Sequence, residues 1–221
     1  GDGETETFFY FGSMPGILDG AGGTDSLYGP DWKYDWEIDA LNGGTLHDTT
    51  PFANIENLYG GTEEDNFIFK PGGSISGLID GGLTGDNALD FEDQTGDVTV
   101  NLTTNVAILT GGASFVGSFA NFVHAFGGGG NDSLTGDANN NTLIGNLGHD
   151  HIYGLAGNDN LVGGPGDDIL EGGADNDTYD FTLDEDDTYP WGSDTIIDTG
   201  GSADKIDFRT SVLGVTFNLG L

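Results

Sequence analysis

From Gly127 to Asp180 the chain reads in nines, without a gap. The units are GGGGNDSLT (127–135), GDANNNTLI (136–144), GNLGHDHIY (145–153), GLAGNDNLV (154–162), GGPGDDILE (163–171) and GGADNDTYD (172–180). The first position is Gly in all six. The sixth is Asp132, Asn141, Asp150, Asp159, Asp168 and Asp177. The eighth is Leu134, Leu143, Ile152, Leu161, Leu170 and Tyr179. Agreement in three columns over six consecutive units is not a product of chance, even in a Gly- and Asp-rich chain.

The period dictates a shape. Six residues of Gly, Asn and Asp make a turn, because Gly reaches backbone conformations that other residues avoid. Three residues with an apolar centre make a short strand that points that side chain inward. Two nonapeptides therefore make one full coil, and successive coils stack at about 4.8 Å. Turns 127–132, 145–150 and 163–168 line one edge. Turns 136–141, 154–159 and 172–177 line the other. Each edge is a ladder of carboxylates and turn carbonyls. Left bare it repels itself, whereas hard cations between adjacent turns would turn the same oxygens into a coordination shell.

The rest of the composition agrees. The chain carries 38 acidic residues against 4 Lys plus Arg, a formal net charge of −34. This excludes binding nucleic acid or an anionic membrane through a basic face. Such charge keeps a chain expanded, yet 35% of the residues are hydrophobic, with 14 Phe and 7 Tyr. That is too much apolar material for an acidic tail, so something must neutralise the carboxylates before it collapses. Asp outnumbers Glu 29 to 9, and Asp is short, turn-forming and a favoured ligand for hard cations. There is no Cys, which excludes disulfides and thiolate metal sites. With Gly so abundant, long amphipathic helices are not expected. No apolar run approaches a membrane span, and no signal peptide is visible.

The six units resemble the RTX, or hemolysin-type, calcium-binding nonapeptide G-G-x-G-x-D-x-U-x, where U is a large apolar residue. Units 127–135 and 163–171 match every specified position. The resemblance implies an all-β fold, a right-handed parallel β-roll or β-solenoid, with Ca2+ between turns of neighbouring coils. It also implies a secreted or cell-surface bacterial protein. It pairs Asp132 with Asp150 and Asp150 with Asp168 on one edge. On the other it pairs Asn141 with Asp159 and Asp159 with Asp177. It adds backbone carbonyls from the turns: Gly127, Gly128, Gly129 and Gly130; Gly145, Leu147 and Gly148; Gly154, Ala156 and Gly157; Gly163, Pro165 and Gly166. Two units depart from the pattern. Asn139 and Asn141 replace Gly and Asp in 136–144, which predicts a weaker site, and Asp175 stands where Gly is expected in 172–180.

The flanks repeat more loosely. FANIENLYGGTEEDNFI (52–68) aligns with FANFVHAFGGGGNDSLT (119–135) at an offset of 67. LDFEDQTGDVTVNL (89–102) aligns with IDFRTSVLGVTFNL (206–219) at an offset of 117. A single unit, GAGGTDSLY, sits at 20–28. We therefore expect irregular coils of the same solenoid over 1–126, the nonapeptide roll over 127–180, and an acidic loop leading into a further module over 181–221. Neither end carries a polar cap, so end-to-end association of chains is an expectation.

Asp25 and Asp65 carry the motif's acid without a clean neighbour two nonapeptides away, and are secondary calcium candidates. Asp86 sits in a motif-like stretch with one insertion, and reads equally as a polar turn. The DEDD run (184–187) and ADNDTYD (174–180) lack the Gly and Glu of an EF-hand. The run reads as a solvated loop. His149 and His151 flank Asp150, but positions five and seven point outward. No H-E-x-x-H, G-x-S-x-G or G-K-[ST] motif occurs, so no enzyme is expected. Aromatic residues cluster at FFYF (8–11) and WKYDW (32–36). Trp32, Tyr34 and Trp36 alternate as on one strand face. They are core filling or, alternatively, a platform for a glycan or surface ligand.

Overall fold

The computed structural model describes residues 3–12, 16–47, 49–109, 117–181, 192–207 and 218–219. The acidic run at 184–187 and most of the second V-T-x-N-L stretch lie outside them. The described residues form short strands and no helix. Among the described residues no helix is long and apolar enough to cross a membrane. The chain divides into two compact units, Gly1–Asp93 with Asn105–Phe122, and Gln94–Thr104 with Val123–Leu221.

The second unit is built as the nine-residue period requires. Alternate strands go to alternate sheets, so two nonapeptides make one coil. One sheet runs Val98–Asn101, Ser133–Thr135, His151–Ala156, Ile169–Ala174 and Thr195–Ile197. The other runs His124–Phe126, Thr142–Ile144, Asn160–Val162, Thr178–Asp180 and Lys205–Asp207. All these pairings are parallel. Ser133 faces His151 and Thr142 faces Asn160, a register of two nonapeptides. The middle residues Leu134, Leu143, Ile152, Leu161, Leu170 and Tyr179 are fully buried. Each such side chain contributes about 1.5–3 kcal/mol of burial, so the eighth column holds the core.

One detail differs from the expected short strands. His151–Ala156 and Ile169–Ala174 run on into the following turns. The opening residues of two turns remain paired, Leu155 with Gly173 and Ala156 with Ala174. Leu155 and Gly173 both have positive φ, 80° and 109°. The two turns bend alike and so keep their ladder.

The first unit keeps parallel coils of irregular length. In one sheet Thr7 faces Ser26, Ser26 faces Asn57, Leu58 faces Ile79 and Leu78 faces Ser118. The four steps along the chain all differ in length, so insertions are absorbed between strands and not within them. The expectation of parallel coils throughout fails at residues 34–53. Tyr34–Ala40, Gly43–Leu46 and Thr50–Ala53 pair antiparallel. Tight turns at Asn42 (φ 54°) and His47 (φ 50°) reverse the chain, a conformation that Asn and His accept more readily than most residues.

Wider coils need larger side chains. Trp36 stacks on Phe67 with ring centroids 5.1 Å apart, and Phe67 meets Phe122 edge-on at 5.4 Å. Trp36 and Tyr34 are buried, whereas Trp32 is half exposed. The alternation of the three aromatics is therefore mainly a core signal. The F-x-N repeat is also structural: Asn54 and Asn121 take positive φ of 54° and 63° at equivalent places.

Candidate metal centre

The sixth-column side chains form two ladders in the second unit. On the first edge, Val98 N–H donates to Asp132 Oδ1 (2.7 Å) and Asp132 N–H to Asp150 Oδ1 (2.7 Å). Asp150 N–H then donates to Asp168 Oδ1 (2.8 Å), and Asp168 N–H to Asp194 Oδ1 (3.0 Å). On the second edge, Asn141 N–H donates to Asp159 Oδ1 (2.8 Å), Asp159 N–H to Asp177 Oδ1 (2.9 Å) and Asp177 N–H to Asp204 Oδ1 (3.1 Å). All four pairs expected from the repeat are brought together. Each carboxylate holds the backbone of the coil before it, so the ladder sets the register between turns as well as any ligand shell.

Two ladder members escaped the sequence reading. Asp194 and Asp204 follow Asp168 and Asp177 at longer separations than the two nonapeptides of the repeat. Their signal was present as Asp-x-apolar, in Asp194-Thr195-Ile196 and Asp204-Lys205-Ile206. The break in period hid it.

The second carboxylate oxygen is the informative one. Oδ2 of Asp150, Asp159, Asp168, Asp177 and Asp194 is buried and accepts no hydrogen bond. A buried charged oxygen without a partner is costly, so such groups are paired or coordinate metals. Burial pushes the carboxyl of Asp150 up to about 8, with the Asp168 and Asp132 charges adding to it. Burial likewise lifts Asp159 and Asp168 to about 7 and Asp194 to about 6. Asp132 and Asp177 are also raised, chiefly by burial. These sites hold stacked carboxylates, hard oxygen donors and no described protein cation, which fits calcium.

The Gly of column one makes room for these oxygens. A Cβ on Gly145 would overlap Asp150 Oδ2 and stand 2.6 Å from Gly163 O. A carboxylate Oδ2 and the next column-one carbonyl likewise crowd Gly127 and Gly154, and at Gly136 the amide Oδ1 of Asn141 takes the carboxylate's place. Gly145→Ala is therefore expected to cost about 1–3 kcal/mol in a calcium-loaded melt. Gly129→Ala is the control, since its Cβ would meet nothing closer than 3.5 Å, and should shift stability by less than about 0.5 kcal/mol.

The carbonyl positions lie in the same turns. Gly128 O accepts Leu147 N–H (3.0 Å), Pro165 O accepts Gly148 N–H (3.1 Å), and Gly127 O accepts Asn146 Nδ2 (2.9 Å). Each carbonyl has a second lone pair. Gly148 and Gly166 take positive φ, 137° and 151°, as does Gly157 at 110°. Gly130 lies against Gly96 and Asp97 of the coil before it, and Gly163 against Asp168 of its own turn, with its carbonyl facing Gly145. Gly154 and Ala156 sit in a strand and not in a free turn. Asp175 replaces the column-four Gly by adopting φ 73° itself, so its turn holds.

Asn141 shows what a neutral member does. Its Oδ1 accepts Asp137 N–H (2.8 Å) and its Nδ2 donates to Val123 O (2.9 Å). It leaves no polar atom orphaned and offers no charge.

The first unit holds a looser version. Asp25 is fully buried, its Oδ1 accepts Glu6 N–H (2.6 Å) and its Oδ2 is unpartnered. Its N–H donates to Glu56 Oε2 (2.9 Å), from a coil far along the chain. Asp65 is also buried, but both its oxygens are engaged, by Gly61 N–H (2.8 Å) and Trp36 Nε1 (3.4 Å). Burial raises it to about 6. Asp86 is exposed. Asn87 takes the ladder place instead, its Oδ1 accepting Asp65 N–H at 2.9 Å, because the inserted residue shifts the column by one. His149 is exposed and His151 half exposed. His151 pairs with Glu171 and Tyr153 on the outer strand face, away from Asp150's ladder contacts.

Comparison with known families agrees with this geometry. The family model described as the RTX calcium-binding nonapeptide repeat (4 copies) matches residues 126–161, 144–179 and 153–187. Comparison with curated proteins gave no match. The ladder acids of the second unit, their orphaned oxygens and the column-one glycines fall in or beside the matched stretch, and residues 126–187 match the RTX calcium-binding nonapeptide repeat, a repeat that binds calcium.

Proposed function

We propose that this chain is a non-catalytic, calcium-triggered structural segment of a secreted or cell-surface bacterial protein. The observation that carries the reading is the row of buried carboxylate oxygens without partners, Asp150, Asp159, Asp168, Asp177 and Asp194. A chain with formal charge −34 resists collapse where calcium is scarce. Calcium binds the stacked turns and not the extended chain, so it stabilises the fold by mass action. Four ions between the nonapeptide turns would remove eight charges. In cytosol-like calcium the segment stays expanded and exportable. Outside the cell it folds.

The test is the hydrodynamic radius and far-ultraviolet circular dichroism at submicromolar and at millimolar calcium. A compaction of about twofold in radius with gain of β signal is expected, on the scale separating unfolded from folded chains. A chain equally compact and equally β in both buffers overturns the reading.

A second reading has its own observation. In the first unit, Phe9, Phe11, Tyr28, Trp32, Tyr59 and Leu83 line a groove of about 460 Å³. Phe11 and Leu83 are more than four-fifths exposed. Aromatic faces beside Asp31 and Asp80 suit a glycan, whose C–H faces stack while its hydroxyls donate to carboxylates. Glycan-array binding lost in Trp32→Ala supports this role. Trp36 is a core residue and belongs to neither reading.

A further inference from the structure

The coil that follows the last nonapeptide departs from the repeat at one telling place. Thr195–Ile197 pairs with Ile169–Glu171, so Asp198 stands in register with Gly172. It occupies column one, which is Gly in all six repeats. Lys205–Asp207 pairs with Thr178–Asp180, so Asp204 stands in register with Asp177. The turn 198–204 is one residue longer than each repeat turn. The extra residue and the acid at column one bring a third carboxylate to the edge. One oxygen from each of Asp177, Asp198 and Asp204 lies within 4.8 Å of the others.

A cluster of acids alone means little, but Asp177 adds a separate fact. It is 1% exposed, its Oδ1 is taken by Asp159 N–H, and its buried Oδ2 has no partner. No described Lys, Arg or His side chain pairs with the three. Lys205, next to Asp204 in the chain, pairs with Asp207 instead. A Cβ placed on Gly172 would overlap both Asp177 Oδ2 and Tyr179 Oη, so the phenol borders the same edge. Carboxylates clustered this closely, one fully desolvated, are the donor set of a hard divalent cation.

We propose that Asp177, Asp198 and Asp204 form a calcium site of their own kind, in which a column-one side chain supplies a ligand that the repeats do not have. Each repeat site pairs two column-six side chains. This one has three carboxylates, and so more charge to offer one ion. It ties the coil carrying Thr195–Ile197 and Lys205–Asp207 to the last nonapeptide, across the break in period. The site rests on the calcium reading above only for the identity of the ion.

The experiment counts calcium by equilibrium dialysis and isothermal titration on the whole chain, for the native protein, Asp198→Gly and Asp198→Asn. Asp198→Gly restores the residue found in every repeat at this column, so it does not threaten the fold. Circular dichroism in saturating calcium checks that directly. The expected result is one site weakened at least tenfold in both variants, with the remaining sites unchanged. Asp198→Glu, which keeps the charge, should recover part of the loss. Unchanged affinity and ion count in Asp198→Gly overturn the proposal, because the edge would then be an ordinary repeat site. A native chain that binds no calcium at all defeats the functional reading instead, so the two failures are distinct.

Discussion

Asp150→Asn is expected to move stability in opposite directions with and without calcium. Asp150 stands in the middle of the first edge, between Asp132 and Asp168. Without metal its Oδ2 is buried and unpartnered, and burial, with the Asp168 and Asp132 charges, lifts its carboxyl to about 8, so it becomes a buried anion only above that pH. An amide of the same shape keeps Oδ1 as acceptor for Asp132 N–H and removes the charge. Above about pH 8 the metal-free protein should gain about 1–3 kcal/mol, because the amide carries no charge to desolvate. With calcium the sign reverses, because Asp150 belongs to both the Asp132–Asp150 and the Asp150–Asp168 pairs. Two neighbouring sites lose a charge, and the apparent affinity should fall at least tenfold, about 1.4 kcal/mol. Osmolyte-induced folding in metal-stripped buffer reads the first effect. Calcium titration by circular dichroism reads the second. Asp150→Ala should destabilise in both conditions, since it also strands the Asp132 amide. A same-sign effect of Asp150→Asn in both buffers would show that the orphaned oxygen is not a calcium ligand.

What the sequence disclosed and what it hid have one physical cause. The nonapeptides were legible because turn and strand are each of fixed length. Asp132, Asp150 and Asp168, or Leu134, Ile152 and Leu170, must then recur in every second nonapeptide. The structure does not need that constancy. Register between coils is kept by a side-chain oxygen accepting the amide of the preceding coil, as Asp168 to Asp150 at 2.8 Å and Asp194 to Asp168 at 3.0 Å. An insertion between strands leaves this contact intact and erases the period. Asp194, Asp204 and Asn87 were therefore invisible to a search by spacing, although each occupies a ladder place. Asn87 adds a second obstacle, since the acid beside it, Asp86, matches the motif better and yet lies exposed. The antiparallel strands at 34–53 were hidden for another reason. Their reversals rest on Asn42 and His47 at positive φ; Asn42-Gly43 is a hairpin signal that the nine-residue period overshadows, whereas His47 announces no turn.

Acidification should strengthen the metal-free fold and weaken the calcium-bound one between pH 8 and pH 5. The ladder carboxyls have raised folded-state values, about 8 for Asp150, about 7 for Asp159 and Asp168, and about 6 for Asp194. The unfolded chain titrates near 4. Between these limits the folded state binds more protons than the unfolded state. The stability from these groups is fully present below about pH 4 and is lost as pH rises through 6 to 8. Each extra proton held by the fold is worth about 1.4 kcal/mol per pH unit. Protons and calcium compete for the same oxygens, so in calcium the same acidification strips ligand charge and lowers affinity. Osmolyte-induced folding midpoints in metal-stripped buffer, and thermal midpoints in millimolar calcium, should therefore show opposite dependence on pH. Metal-stripped buffer is required because carboxylate chelators protonate over the same range. Parallel slopes in the two series would mean that protons and calcium do not share the ladder. Opposite slopes would place a single set of oxygens, in the column that begins at Asp132, under the control of both.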